Sequence, residues 1–289
     1  MRKLIPILSI LLLLGSVSCK KEPTLEELYP EQNTQPDEPG EIKVMTFNIR
    51  QRNDNDGAWN NWALRAPACR IMVEVQKPAL LGMQELHESQ WEYMSVLLAE
   101  KGYVTVTDKE IINSFMYRPD VLDLEKSGIF YLTDTPEVAG DSWDGYKRYV
   151  AWAIMSIKAT GTHFFYINTH LGLKVDARKK AMALIVKMLK TLNAEDLPVV
   201  LMADFNAPTT EACFDIVRNT MVCTRDVAPI TDDVMTYNGW FLSSNTPYIC
   251  DHIWISNGIE CSEYRTVTVP YDGHTLISDH YPVYSIIKF

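Results

Sequence analysis

Hydrophobic and polar residues alternate along the chain in segments that predict many strands and a few helices. Short apolar runs between turn signals predict strands at residues 41–49, 79–84, 102–106, 112–117, 121–132, 149–157, 163–169, 198–203, 248–256, 265–269 and 280–289. Apolar residues at helical spacing predict helices at residues 62–76, 88–101 and 176–192. This arrangement predicts two packed sheets with helices on their outer faces.

The first 40 residues differ in composition from the rest of the chain. Residues 1–18 begin with Arg2 and Lys3, continue as an apolar run and end in small residues. The run is too short for a membrane span and predicts a signal peptide. Residues 19–40 are polar, acidic and proline-rich, which predicts a flexible linker. Residues 41–289 contain no second linker and predict one domain.

Cys19 follows the predicted leader, and its surroundings resemble a bacterial lipobox, with Ser16 where leucine is preferred. Acylation of Cys19 would tether the protein to a membrane surface without spanning the membrane. Ser16 and Ser18 also suit ordinary signal peptidase, which would release a secreted protein. We expect a lipid-anchored protein of the bacterial cell envelope, on the outer membrane or facing the periplasm.

The composition is that of a well-packed globular protein with an acidic surface. Of the 289 residues, 47% are hydrophobic and 22% are charged, and the net charge is −10. Removal of Arg2 and Lys3 with the leader would lower the net charge from −10 to −12. Nucleic-acid affinity depends mainly on Lys and Arg, so duplex DNA is a disfavoured partner. A local cationic or metal-filled pocket remains compatible with this charge.

The six cysteines are Cys19, Cys69, Cys213, Cys223, Cys250 and Cys261. They show no Cys-x-x-Cys metal spacing. Export permits disulfides, but lipidation of Cys19 would leave an odd number of cysteines. We expect most of them to be buried as small hydrophobic residues.

Polar residues recur where the predicted apolar strands end. They are Asn48, Gln84, Glu85, Asn168, His170, Asp204, Asn206, Asp251, Asp279 and His280. One such residue alone is usually a turn or a helix cap. Six endings of complementary type favour a common site instead, because strand ends at one rim of a sandwich bring distant residues together.

The chemistry of these residues is that of a phosphate-ester hydrolase. Most are carboxylates and amides, which suit a hard cation, Mg²⁺ or Mn²⁺, better than Zn²⁺. Such a cation neutralises phosphate charge and stabilises the leaving oxygen. An aspartate can orient a water molecule or a histidine, and asparagine side chains can donate to phosphate oxygens as charge develops.

The motifs TFNIR, LGMQELH, INTHL, LMADFNAPT, CDHIWIS and SDHYPV, in this order, resemble those of the endonuclease/exonuclease/phosphatase family over nearly all of residues 41–289. The resemblance implies a four-layered α/β sandwich of two mostly antiparallel sheets flanked by helices. It also implies a metal-dependent hydrolase that cleaves a phosphodiester or phosphomonoester with an activated water.

The resemblance implies roles for the candidate residues. Glu85 resembles the main metal-binding carboxylate, Asn48 would support the metal through its water shell, and Asp279 would bind or support it. Arg148 would contact the substrate phosphate, since a guanidinium fork matches phosphate geometry.

The resemblance also identifies the reacting groups. Asp204 resembles the aspartate that activates the attacking water or steadies the leaving group. Asn206 and His170 would bind the phosphate. His280 resembles the phosphate-contacting or base histidine, and Asp251 would orient it.

Some positions depart from the family pattern. Ala203 replaces a common glycine, which we expect to leave the strand end intact. Gly172 and Leu173 replace an Asp-His pair, which predicts a lost substrate contact. His252 replaces an aromatic residue and is expected to alter the pocket wall. Trp59, in a polar loop, is the best aromatic candidate for that wall.

Three functions remain open on these residues. The preferred one is an exported, monomeric phosphoesterase for a small-molecule, lipid or nucleotide phosphate ester. The alternatives are a nuclease acting on DNA or RNA and a non-catalytic surface binding protein on the same fold. The shared residues handle only the phosphate and the metal, so they do not identify the substrate.

Overall fold

The computed structural model describes residues 23–30, 35–36, 38–242 and 248–289. The predicted signal peptide and Cys19 lie outside these residues. Within the predicted linker, α1 (Leu25–Leu28) forms one helical turn that Thr24 caps. The ring of Tyr29 lies 5.0 Å from that of Tyr271, so this part of the linker packs against the domain. In the described part of the chain, no helix has the length and apolar character that a membrane span requires.

The remaining elements agree closely with the predicted helices and most of the predicted strands. The helices are α2 (Trp62–Gln76), α3 (Glu88–Ala99), α4 (Val175–Leu192) and α5 (Thr224–Val227). The strands are β1 (Glu41–Asn48), β2 (Leu80–Gln84), β3 (Val104–Thr105), β4 (Phe115–Tyr117), β5 (Leu122–Tyr131), β6 (Tyr149–Ile157), β7 (Thr162–His170), β8 (Val199–Asp204), β9 (Met221–Cys223), β10 (Asp251–Ser256), β11 (Glu260–Thr266) and β12 (Val283–Lys288).

The strands form two six-stranded sheets. Sheet A has the order β11-β12-β1-β2-β4-β3, and sheet B has the order β5-β6-β7-β8-β10-β9. Among the described strands, neighbours are antiparallel except β1 with β2 and β7 with β8. Each parallel pair is connected by a crossover helix, α2 in sheet A and α4 in sheet B. The predicted pair of mostly antiparallel sheets is therefore confirmed.

Alternation along the strands divides the apolar residues among three cores. On β1, Ile42 and Val44 pack between the sheets, whereas Met45 and Phe47 pack under α2 and α3. A third core lies between sheet B and α4, where Ile185 is buried. The order helices, sheet A, sheet B, helix gives the four layers that the resemblance implies.

Two of the polar strand-end residues lie inside the sandwich. The Gln84 amide donates to Asn168 Oδ1 at 2.7 Å and to Thr46 Oγ1 at 3.0 Å. The Asn168 amide donates to the carbonyls of Met83, at 3.0 Å, and Ser114, at 2.7 Å. Gln84 and Asn168 are fully buried, so they join the two sheets through their side chains.

One predicted strand is displaced. The prediction at residues 265–269 is wrong over most of its length, because β11 covers Glu260–Thr266. This strand lies at the edge of sheet A and contains an irregularity between Cys261 and Glu263. Polar residues are tolerated on an edge, and the irregularity disrupts the alternation, so the pattern does not reveal the strand.

Lys43 is a buried cation in the layer between sheet A and α2. It is 1% exposed, and its Nζ donates to Gln76 Oε1 at 2.7 Å and lies 3.9 Å from the centre of the Tyr284 ring. Burial lowers the pKa of Lys43 to about 7, although the nearby Glu263 carboxylate acts in the opposite direction.

Replacement of Lys43 by methionine should change how stability depends on pH. Between about pH 7 and pH 10, the unfolded chain keeps a proton on Lys43 that the folded chain releases, so the contribution of Lys43 to stability increases with pH. We expect the free energy of unfolding of the wild type to rise relative to Lys43→Met by up to about 1.4 kcal/mol per pH unit. Urea unfolding across this range measures it, with Lys187→Met on the exposed side of α4 as the control. A constant difference would contradict the prediction.

Candidate active site

The strand register places three predicted catalytic residues in one row across sheet B. Asp204, the last residue of β8, pairs with His170 at the end of β7 and with Asp251 at the start of β10. Residues paired across a sheet point to the same face, so the three side chains gather at the rim. In sheet A, Asn48 ends β1 at the same rim, and Glu85 directly follows β2.

The other candidates lie just before strands that start at this rim. Asp279 and His280 precede β12, and Arg148 precedes β6. The structure thus brings together the predicted site residues of the described chain: Asn48, Glu85, Arg148, His170, Asp204, Asn206, Asp251, Asp279 and His280.

Asp204 is the centre of the hydrogen-bond network. Its Oδ2 accepts from Asn48 Nδ2 at 2.9 Å, and its Oδ1 accepts from the backbone N–H of Asn206 at 2.9 Å. His170 Nε2 lies 3.3 Å and His280 Nε2 lies 3.7 Å from Oδ2. Burial alone would raise the pKa of Asp204, but the two imidazoles and these N–H donors hold it below its usual value. The side chain is therefore a carboxylate.

His280 and Asp251 form a buried pair. His280 Nδ1 lies 2.8 Å from Asp251 Oδ2, and the hydroxyl of Thr236 accepts from the Asp251 backbone N–H at 3.0 Å. Burial disfavours the charged imidazolium, but the carboxylates of Asp251 and Asp204 outweigh burial and hold the pKa of His280 well above its usual value. His280 is thus a cation whose Nε2 side faces Asp204.

His170 Nε2 lies between two polar neighbours, Asp204 Oδ2 at 3.3 Å and the side-chain amide of Asn206 at 2.9 Å. Asn206 Nδ2 lies 2.9 Å from the Leu171 carbonyl and 2.9 Å from His170 Nε2. A carbonyl only accepts, so the Asn206 amide nitrogen faces both the Leu171 carbonyl and the imidazole. Burial lowers the pKa of His170, and the positive charge of Arg148 lowers it further, against the effect of Asp204.

Glu85 and Asp279 are the oxygen donors that could hold a hard cation. Glu85 accepts from the Gln51 backbone N–H at 2.9 Å and from Asn48 Nδ2 at 3.3 Å. Burial raises the pKa of Asp279, and the negative charge of Glu85 acts in the same direction. Both carboxylates line one cavity. Because Mg²⁺ commonly uses one or two carboxylates and several waters, this donor set fits Mg²⁺ or Mn²⁺.

Asn48 uses its side-chain N–H groups to hold Glu85 and Asp204, and its oxygen is not directed at the cation site. Its Oδ1 accepts the backbone N–H of Arg50 at 2.9 Å, which leaves its amide N–H groups for Glu85 and Asp204. Arg50 itself bonds Asp56 through two nitrogens, at 2.8 and 2.7 Å, and its Nε lies 3.6 Å from Asp279 Oδ2. Arg50 is the last residue of the TFNIR motif, but it was not among the predicted site residues.

Arg148 faces the cavity and is held by an aspartate that the motifs did not indicate. Its Nε lies 3.4 Å from Asp144 Oδ2 and has no hydrogen-bond partner among the described residues. Asp144 is buried and also accepts from the Leu173 N–H at 3.3 Å. A Cβ on Gly172 would lie 2.7 Å from Asp144 Oδ2. The glycine that departs from the family pattern thus makes room for the carboxylate that holds Arg148.

The cavity at this rim has a volume of about 840 Å³ and continues into a second lobe of about 820 Å³. Both lobes share the residues Arg50, Glu85, Arg148, His170 and Leu173. Three partly exposed aromatic side chains, Tyr237, Phe241 and Tyr248, line the first lobe. Tyr237 and Phe241 lie in a segment without periodicity, and Tyr248, at the start of the strand predicted at residues 248–256, was not among the predicted site residues.

Two expectations about the pocket wall are wrong. Trp59 is 80% exposed and does not line either lobe. His252 is fully buried on the opposite face of β10, where its Nε2 lies 2.9 Å from the Ala207 carbonyl and its ring lies 5.7 Å from that of Phe205. Alternation explains this position, since Asp251 next to it faces the site.

Three residues of the site have left-handed backbone conformations. Arg50 has φ 57°, Glu85 has φ 60° and Asn206 has φ 50°. This region is unfavourable for residues with a Cβ and is maintained only where the surrounding structure requires it. Here each conformation follows the end of a strand and turns the chain along the rim, so that side chains of consecutive segments meet.

Arg65, on α2, links the segments that follow β1 and precede β12. Its fully buried guanidinium donates to the carbonyls of Ile49 and Arg50, to Asn60 O at 3.0 Å and to Ile277 O at 3.2 Å. These carbonyls flank Asn48 on one side and the Asp279–His280 segment on the other. Arg65 therefore holds the two parts of sheet A's rim in position.

Solved structures with the same fold include several phosphoesterase-related proteins. An endonuclease/exonuclease/phosphatase family protein from Bacteroides thetaiotaomicron is 26% identical, with a TM-score of 0.79 over 87% of this chain and 99% of that one. A mannosyl-6-phosphatase from the same organism is 24% identical, with a TM-score of 0.75 over 86% and 100%. The human Nocturnin catalytic domain, with a bound sulfate anion, is 15% identical, with a TM-score of 0.65 over 86% and 94%.

These structural neighbours confirm the resemblance to the endonuclease/exonuclease/phosphatase family and its fold. No family model matches the sequence, and no curated protein matches it. The shared fold and the site together support a phosphoesterase.

Removal of the Arg65 guanidinium should destabilise the protein strongly. Arg65→Met leaves several buried carbonyls without donors, and each unsatisfied group costs on the order of 1–3 kcal/mol. We expect a loss of about 3 kcal/mol or more in the free energy of unfolding, measured by urea denaturation. Arg52→Met, at a side chain that is 59% exposed, is the control and should change stability by less than about 0.5 kcal/mol. Equal effects of the two substitutions would refute this role for Arg65.

Proposed function

We propose that this chain is a divalent-metal-dependent phosphoesterase that cleaves a phosphate ester by attack of water. One observation carries the proposal: the carboxyl group of Asp204 lies between His280 Nε2, at 3.7 Å, and the amide of Asn48, at 2.9 Å, at the wall of a large cavity. The same cavity contains two further carboxylates, Glu85 and Asp279, and the guanidinium of Arg148. Asp204 can accept a proton and His280 can donate one. Glu85 and Asp279 can bind a cation, and Arg148 can bind the phosphate.

Asp204 is the group that would act on the attacking water. Its carboxylate can accept a proton from water or hold the water by hydrogen bonding, because Asn48 and the Asn206 N–H fix both of its oxygens. When held by Glu85 and Asp279, Mg²⁺ or Mn²⁺ would neutralise phosphate charge and stabilise the leaving oxygen.

The histidines and Arg148 would bind the phosphate. The Nδ1–H of His280 donates to Asp251, so Nε2 can donate to a phosphate oxygen as negative charge develops. His170 and Asn206 lie 2.9 Å apart beside Asp204 and would bind the phosphate together. The guanidinium of Arg148 lines the cavity, is held by Asp144 through Nε and can bind a second phosphate oxygen.

A sugar phosphate is the first substrate class to test. The mannosyl-6-phosphatase from Bacteroides thetaiotaomicron has the same fold. In this chain, Tyr237 and Tyr248 are partly exposed at the cavity mouth, where an aromatic ring can pack on a ligand. The net charge of −10 disfavours duplex DNA.

We also propose that Cys19 anchors the enzyme to the bacterial envelope. The support is the composition of residues 1–18 and the polar stretch that follows. Labelling of cells with a radioactive fatty acid tests this proposal: the wild type should become labelled and Cys19→Ala should not. An unlabelled wild type that is found in the medium would identify a secreted protein instead.

Asp204→Asn should abolish turnover while leaving the fold intact. The amide is the same size but accepts protons poorly, and loss of a general base costs on the order of 10²–10⁴-fold in rate. The assay uses mannose 6-phosphate and other sugar phosphates, bis-p-nitrophenyl phosphate, sphingomyelin, RNA and plasmid DNA with Mg²⁺ or Mn²⁺. Asp196→Asn, at an exposed position, is the control.

The panel also separates the alternative functions. Rapid cleavage of plasmid DNA or RNA would identify a nuclease. No metal-dependent release from any substrate, or equal rates for the wild type and Asp204→Asn, would exclude the proposed hydrolysis and favour a binding protein.

Glu85→Gln should raise the concentration of Mg²⁺ needed for half-maximal activity by about tenfold or more, since changes to a metal site typically cost 10–100-fold in affinity. Calorimetric titration of Mg²⁺ measures the binding separately from turnover. Glu92→Gln, an exposed carboxylate on α3, is the control and should behave as the wild type. An unchanged metal requirement in Glu85→Gln would place the cation elsewhere.

A further inference from the structure

Four buried side chains of different chemistry converge beside the proposed catalytic residues. They are Asp204, Cys250, Asp251 and His280, and each is at most 6% exposed. One potential ligand atom from each lies within 4.8 Å of the others. Cys250 has no role in the proposed hydrolysis, so its position in this group needs a separate explanation.

Three of the four ligand atoms, those of Cys250, Asp251 and His280, are spaced much as in a tetrahedral cation site. Cys250 Sγ lies 3.5 Å from Asp251 Oδ2 and 4.0 Å from His280 Nδ1, and the latter two atoms are 2.8 Å apart. Bonds of about 2.0–2.3 Å in a tetrahedral zinc site place neighbouring ligand atoms about 3.3–3.8 Å apart. Shifts of less than about 1 Å in these separations would therefore accommodate a cation.

The donor set differs from that of the proposed Mg²⁺ ligands. Glu85 and Asp279 offer only oxygen, whereas the cluster offers sulfur, nitrogen and oxygen together. Thiolate and imidazole ligands select Zn²⁺ and similar ions over Mg²⁺. The cluster also has unused acceptor capacity, because Asp251 Oδ1 is buried without a hydrogen-bond partner among the described residues.

The cluster is accessible from the cavity. Asp204, Cys250 and His280 all line the 840 Å³ lobe, so a hydrated cation can reach three of the four ligands without unfolding of the domain. Two of the four side chains, Asp204 and Asp251, are acidic, and carboxylates at the cavity wall attract a divalent cation.

We propose that Asp204, Cys250, Asp251 and His280 form a cation site, separate from Glu85 and Asp279, that binds thiophilic divalent ions such as Zn²⁺ and thereby blocks hydrolysis. Binding forms bonds to Cys250 Sγ, to His280 Nδ1 and to one carboxylate oxygen each of Asp251 and Asp204, and Asp204 turns toward this side of the ring from its position 3.7 Å from Nε2. Binding releases to solvent the thiol proton and the proton shared between His280 and Asp251. The cation then separates His280 from Asp251. It also occupies the Asp204 carboxylate, which can no longer act on the attacking water. The block of hydrolysis rests on the proposed function, whereas the binding does not.

Co²⁺ absorption tests the binding directly on the purified chain, under reducing conditions and with excess Mg²⁺. A Co²⁺–thiolate bond produces a charge-transfer band in the near ultraviolet, which Zn²⁺ should remove by displacement. We expect the wild type to show this band at one Co²⁺ per chain, and Cys250→Ser to lack it. Cys261→Ser, another buried free thiol located on β11, is the matched control and should retain the band.

The binding proposal is overturned if the folded wild type shows no thiolate band, or if the band survives in Cys250→Ser. Circular dichroism establishes that each variant is folded, and Cys250→Ala replaces Cys250→Ser if the serine disturbs the fold. A band lost equally in Cys261→Ser would also contradict the assignment, because that thiol lies outside the cluster.

Zinc inhibition tests the functional part separately. Each protein is compared with its own zinc-free, Mg²⁺-supported rate on the best substrate of the panel. We expect the Zn²⁺ concentration for half inhibition to be at least about tenfold higher in Cys250→Ser than in the wild type and Cys261→Ser, in line with the loss of a metal ligand. Equal inhibition would overturn the regulatory role. If no substrate is cleaved, the proposed function fails while the Co²⁺ result still decides the binding.

Discussion

The hydrogen bond from Asn48 to Asp204 connects the two sheets at the point where the candidate site lies. Its 2.9 Å length requires the end of β1 in sheet A to meet the end of β8 in sheet B. Asp204 is 1% exposed, and a buried carboxylate without donors would be costly. The donors come from both sheets and from the segment before β12. The stacking of the sheets therefore determines whether Asp204 can remain ionised, and with it the charge of His280 and the position of Glu85.

The cavity reconciles an acidic protein with anion binding. Among the residues that line its first lobe, Arg50, Arg148 and Arg178 are each associated with a carboxylate of the chain, at Asp56, Asp144 and Glu211. Each partner fixes the direction of a guanidinium and offsets part of its charge. The protein thus keeps a net charge of −10 while presenting oriented N–H groups at one place.

Periodicity predicted the parts of the structure that depend on local sequence. It located α2, α4 and β6 almost to the residue, and strand-end position identified His170, Asp204 and Asp251 before their register was known. It did not indicate contacts between distant segments. Arg65 looks like a solvated cation on an amphipathic helix, yet it bonds carbonyls of two loops. Gly172 looks like a lost contact, yet it makes room for Asp144.

β1 and β12 are neighbours in sheet A, although they are the first and last strands of the domain. Pairing runs from Glu41 with Lys288 to Thr46 with Val283. Such pairing between distant segments closes a long loop and is slow to form. During synthesis, β1 cannot pair with β12 until almost the whole domain has been translated. The rim carrying Asn48 and His280 is therefore completed late in folding, and a growing chain on the ribosome has no assembled site.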